Sequence, residues 1–227
     1  MKRTIFNVVL VAIGLTSIGL INSASKRQER PAGQNERQGT FKQRLQRAKA
    51  RGEKKLRSHT AIPLYAQVDL ESATEIYDLV IGEFVSSKSF PVDDDGNIVT
   101  WYRFKIHNVV SKAKSPRVVD SAPAELFPLA DDEILIWKTG GVVEIDGMEL
   151  EMEEVGFPPF EKSQEYFLVL AHDYAKKTGN VEVGPNGALI VTAQDTLEVS
   201  SKNRTYFKTE LEHRYGHSVS KLKEKFK

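Results

Sequence analysis

The spacing of apolar residues changes character several times along this chain. From Ile5 to Ile21 it is nearly continuous, relieved only by Asn7, Gly14, Thr16, Ser17 and Gly19. From Lys26 to His59 large apolar residues almost vanish, with Phe41, Leu45 and Leu56 the main exceptions. Between Tyr77 and Val199 they recur with period two or in short runs, the pattern of β-strands. After Asn203 the period lengthens: Phe207, Leu211, Tyr215, Val219, Leu222 and Phe226 stand three or four apart, which predicts an amphipathic helix divided near Gly216-His217-Ser218.

Within the body, a short helix is expected from Leu70 to Ile76, capped by Asp69 or Ser72. Tyr77 to Val85 reads as a strand with Gly82 at a bulge, and the turn Asp93 to Asn97 joins it to a second strand, Ile98 to Val110. There Tyr102, Phe104 and Ile106 alternate with Arg103, Lys105 and His107, so one face is buried and the other basic. A proline-containing loop (Pro116, Pro123, Pro128) leads to a strand from Glu133 to Lys138, followed by Gly140-Gly141. The clearest local signal is Val142 to Met152. An Asp146-Gly147 two-residue turn pairs Ile145 with Met148 and Val143 with Leu150 on a greasy face, and sets Glu144 opposite Glu149 on an acidic one. Beyond Pro158-Pro159, Glu165 to His172 is an apolar, buried strand, with short strands expected around Val181 to Val183, Leu189 to Ala193 and Thr196 to Val199.

Charge divides the chain in the same places. The net charge of +1 conceals +2 over residues 1–25, +9 over 26–57, −15 over 58–201 and +5 over 202–227. Lys2 and Arg3, the apolar stretch and the small polar run Asn22 to Ser25 have the order of a secretory signal cleaved between Ser23 and Lys26. The alternative is an uncleaved anchor: the stretch falls just short of the roughly 20 residues of a spanning helix, and Lys26, Arg27 and Arg30 follow it directly. The division predicted is therefore a signal peptide (1–24), a basic disordered linker (25–59), a β-barrel domain (60–201) and a C-terminal helix (202–227), in a protein that is secreted or periplasmic or, if uncleaved, membrane-anchored. The linker cannot bury enough surface alone to offset the entropy of ordering, although Thr40 to Arg57 holds good helix formers. An acidic body repels phosphate, so no specific nucleic-acid partner is expected, and membrane contact is confined to the leader or linker.

With no cysteine, the chain has no disulfide framework, thiolate zinc site or cysteine nucleophile. Asp93 to Asn97 fails the calcium-loop pattern, because Pro91 and Tyr102 fall where acids are required. His213 and His217 stand four apart with no evident third ligand, so no metal or other cofactor is expected. The candidate binding residues are the acidic side chains of the Asp-Gly hairpin, Glu144, Asp146, Glu149 and Glu151, which suit a basic partner, the chain's own basic segments or a divalent cation. Nucleophile elbow, Walker loop and dinucleotide fingerprint are all missing.

The segments A-T-E-I-Y-D-L-V-I-G-E-F-V, W-Y-R-F-K-I-H-N-V-V, the Gly140-Gly141 hairpin and F-P-P-F-E-K-S-Q-E-Y-F-L-V-L resemble the netrin or tissue-inhibitor-of-metalloproteinase-like barrel, an oligonucleotide/oligosaccharide-binding (OB) fold variant also seen in secreted bacterial proteins of unknown role. The resemblance covers about Ala73 to Val199. It implies a small, closed, five-stranded OB-like barrel, which with the C-terminal helix read from the spacing after Asn203 makes the chain mostly β. The inhibitors act through an N-terminal cysteine that this chain lacks, so no site residue carries over. The resulting expectation is an exported, non-enzymatic module that binds another protein or an envelope polymer. Its rivals are a carboxylate- or metal-dependent hydrolase and an envelope protein held by its leader.

Overall fold

A computed structural model describes residues 40–60, 69–91, 97–115, 121–154, 157, 159–173, 175–181, 187–199, 214, 216 and 218–226. The leader, the first part of the expected linker, the turn at Asp93 to Gly96 and His213 and His217 lie outside them. All described residues belong to one compact unit, Gln38–Lys227.

The fold is mostly β, with a small C-terminal helix. In chain order the elements are α1 (Phe41–Ala50), β1 (Lys55–Thr60), α2 (Leu70–Ala73), β2 (Asp78–Pro91), β3 (Ile98–Ser111), β4 (Glu133–Thr139), β5 (Gly141–Ile145), β6 (Met148–Glu154), β7 (Glu165–Asp173), β8 (Thr178–Val181), β9 (Ala188–Val191), β10 (Leu197–Val199) and α3 (Val219–Lys225), with a 3₁₀ turn at Ala124–Leu126. As expected, Asp69 caps α2, its carboxylate accepting the Ser72 N–H at 2.9 Å. Of the three short strands expected after His172, the first meets β8, which covers Thr178–Val181; residues 182 and 183 lie outside the described ones.

Seven strands pair in the order β10-β9-β7-β2-β3-β4-β8, and β8 pairs again with β7. Five of them, β2, β3, β4, β8 and β7, therefore pair in a ring. Every step is antiparallel except β4 with β8. The β2–β3 register shifts at Ile81/Gly82, where the sequence predicts a bulge, and bulges bend long strands into such rings.

The ring's core is aromatic. Phe84, Tyr102, Phe104, Phe157, Phe160 and Tyr166 pack with Ile134, Ile136, Leu168 and Leu170. Phe160 stands edge-on to Tyr102, Phe104, Phe157 and Tyr166 with centroids 4.9–5.8 Å apart, the geometry that aligns a ring's positive edge with its neighbour's negative face. Leu79, Ile81, Phe167 and Val169 point the other way, into a second core with α2 and α3. Strands β2 and β7 are thus buried on both faces, which explains why β7 reads as an unbroken apolar run.

The basic segment requires a correction. The linker expected to be disordered over 25–59 is helix and strand from Phe41 onward. Thr40 and Gln43 form a capping box on α1, and β1 pairs in parallel with β6, Leu56 opposite Leu150. The missing surface comes from elsewhere in the chain: Leu45, Ala48, Phe41 and Leu56 pack on Met148, Leu150, Met152 and Ile98, the greasy side of the hairpin. Isolated, the segment has too little to bury; against the hairpin it completes a core. Among the described residues, no helix is long and apolar enough to cross a membrane.

Candidate functional site

The hairpin forms with the register that its sequence dictates, Val143 opposite Leu150, Glu144 opposite Glu149 and Ile145 opposite Met148. Asp146 and Gly147 both take positive φ, 50° and 73°, as a type I′ turn requires. Alternation then sends Met148, Leu150 and Met152 inward and leaves Glu144, Glu149 and Glu153 exposed.

Three of the four predicted binding residues meet the chain's own basic segment. The Lys55 ammonium lies 2.6 Å from Glu149 and 2.9 Å from Glu151; Arg57 lies 2.7 Å from Glu151; Lys49 lies 3.2 Å from Asp146. Parallel pairing of Lys55 with Glu149 and Arg57 with Glu151 puts opposite charges side by side on one face of the sheet. Hydrogen bonding to the two carboxylates holds Lys55 above its usual range, and Lys55 holds Glu151 below its own. Glu144 carries no ion pair among the described residues.

At the base of this hairpin is a cavity of about 210 Å³, lined by Tyr102, Lys138, Gly140, Glu154, Phe157 and Pro159 among others. Lys138 and Glu154 are each only 6% exposed. They meet because Lys138 is the last but one residue of β4 and Glu154 the last of β6, and the Gly140-Gly141 link leads from β4 into the β5–β6 hairpin. Lys138 Nζ donates to the Phe157 carbonyl at 2.6 Å, lies 3.9 Å above the Phe157 ring and stands 3.9 Å from Glu154 Oε2. Burial lowers the Lys138 ammonium to about 8, with Glu154 opposing that shift. Burial also pushes the Tyr102 phenol up to about 12. A charge pair, a carbonyl and aromatic walls therefore converge on one small space, the composition of a ligand pocket.

In the sequence Lys138 is only a strand end, and Glu154 lies beyond the expected hairpin. The overlooked signal is that Glu154 continues the inward series Met148, Leu150 and Met152, where a charge needs a partner.

The remaining histidines and acids are structural neighbours. His107 contacts Glu165 at 2.9 Å, and His172 contacts the buried Asp78 at 3.3 Å, while Asp78 also accepts the Ala113 N–H at 2.7 Å. Asp78 does not line the Lys138 cavity, so the two buried carboxylates among the described residues sit in separate surroundings. Among the described residues no group of three His, Asp or Glu side chains is placed to hold a metal ion.

Compared with known proteins, the chain matches no family model, no curated protein and no solved structure.

Proposed function

We propose that this chain is an exported, non-enzymatic binding module built on a closed OB-like barrel of the netrin type, and that it contacts another protein or a cell-envelope polymer through the hairpin and the cleft at its base. The barrel reading is supported by the ring itself: with β2, β3, β4, β7 and β8 taken as strands one to five, the order is 1-2-3-5-4-1, and the parallel contact falls between the third and fifth, as in the OB Greek key. The export reading rests on the basic-apolar-small order of residues 1–25.

The observation that carries the binding role is the Lys138–Glu154 pair beside its cavity. A buried ion pair adds little net stability over a well-packed apolar pair, so stability alone does not account for it. A ligand's polar group reaching the cleft does. Val142, an apolar residue 48% exposed at the cleft mouth, and Glu144 beyond it are the accessible flanks of this surface.

Site-specific photo-crosslinking from position 142 or 144 in the native host tests the reading. One discrete, reproducible adduct is expected from both positions, on a full-length-minus-leader protein outside the cytoplasm. Crosslinks that are absent, or as diffuse as those from an exposed control position such as Lys114, would dispose of it.

A further inference from the structure

Resting on the cleft reading above, we propose that Lys138 is a reactive amine that captures a small aldehyde, or the open-chain aldehyde of a reducing sugar end, as an imine inside the cavity.

Four features converge on it. First, Lys138 is the only buried lysine among the described residues, and it lines an open cavity rather than being sealed in a core. Second, the cavity, at about 210 Å³, exceeds the roughly 150 Å³ that accommodates a benzene-sized guest, so a fragment of a few heavy atoms fits. Third, Phe157 and Tyr102 line the space and offer ring surfaces to the apolar part of an aldehyde. Fourth, the Glu154 carboxylate lies 3.9 Å from Nζ, a separation that one intervening water spans, so that it can relay a proton between nitrogen and an attached oxygen.

The chemistry balances without a further reactant. The neutral amine's lone pair forms the C–N bond at the carbonyl carbon, and Glu154 carries one proton from nitrogen to the carbonyl oxygen. Glu154 then carries the second nitrogen proton to that hydroxyl. Water then leaves as the C=N bond forms, so amine plus aldehyde gives imine plus water. The Phe157 carbonyl accepts one N–H in either protonation state of the amine and so positions Nζ for attack; the bond is given up when the last N–H proton leaves. The lowered basicity produced by burial leaves about one Lys138 in ten neutral at pH 7, far more than for an exposed lysine.

The test uses the full chain, propionaldehyde in less than equimolar amount and sodium cyanoborohydride at pH 7, with the alkylated lysines located by peptide mass mapping. Lys138 should carry several-fold more label than the median exposed lysine, its much larger neutral fraction being offset in part by its burial. Glu154→Gln should lower that preference while a thermal melt confirms the fold. Labelling of wild-type Lys138 at or below the median overturns the proposal. Crosslinking and labelling of the wild type, read together, separate the two readings. An adduct from position 142 or 144 with no selective labelling of Lys138 removes the imine and keeps the module; selective labelling without any adduct keeps the amine chemistry and removes the module.

Discussion

The Lys138 ammonium and the Glu154 carboxylate stand 3.9 Å apart with neither side chain more than 6% exposed, so each is the charge that the other's burial requires. Removing one is therefore worse than removing both. Lys138→Met alone strands Glu154 and should cost about 3–5 kcal/mol. Lys138→Met combined with Glu154→Leu should recover most of that loss. Urea unfolding of the wild type, both single variants and the double variant decides the point; a double loss equal to the sum of the single losses would mean that the pair is not coupled.

The same burial sets a pH dependence. The folded state releases the Lys138 proton near pH 8, whereas the unfolded chain holds it to about 10.5. Between those values the unfolded state binds more protons, so stability rises with pH, by about 3 kcal/mol if the whole window is crossed. Above pH 10 Tyr102 opposes this, because its raised phenol keeps a proton that the unfolded chain loses. Unfolding free energies measured from pH 8 to 10 should climb in the wild type and stay flat in the Lys138→Met/Glu154→Leu variant.

Two hairpin glycines should answer very differently to alanine. Gly147 has φ 73° but open space around its missing Cβ, so Gly147→Ala meets only backbone strain of about 1 kcal/mol. At Gly141, φ is 135° and an added Cβ would fall 2.0 Å from Thr100 Oγ1 and 2.5 Å from Ser89 Oγ. Those two hydroxyls are themselves bonded at 2.7 Å, and Thr100 also donates to the Gly140 carbonyl. Gly141→Ala should therefore lower the melting temperature several times more than Gly147→Ala. Comparable shifts would show that the strand junction is looser than drawn.

The α1–β1 segment is held partly by exposed charge, and charge of that kind is screened by salt. Lys55→Glu with Arg57→Glu should speed amide hydrogen exchange in β1 and leave β7 protected, since β7 is buried on both faces. In the wild type, raising salt should move β1 exchange the same way and to a smaller extent. Uniform exchange changes across both strands would instead mean that the segment and the ring open together.

What the sequence revealed follows the range of the interactions involved. The Val142–Met152 hairpin was legible to the pairing register because Asp146-Gly147 and period-two alternation act over eleven residues. The bulge at Gly82 and the inward aromatics of β3 were legible for the same local reasons. Strand β1 was hidden because its cations and its few apolar groups are matched only by β6, far along the chain. Lys138 and Glu154 were hidden because their contact brings together the ends of β4 and β6, which no local period records. The ring itself, with its one parallel contact, likewise emerges only once β8 lies between β4 and β7.

The parallel pairing of β1 with β6 also orders events in time. Arg57 and Glu151 are 94 positions apart, so a chain made from its N-terminus presents the basic segment long before the acids that will receive it exist. Parallel partners cannot be brought together by a tight turn, and closing so long a loop is slow. The first described helix and strand to be synthesised therefore wait for their partner strand until Met148 to Glu154 have been made, and until then their cations lack the acids that face them in the folded chain.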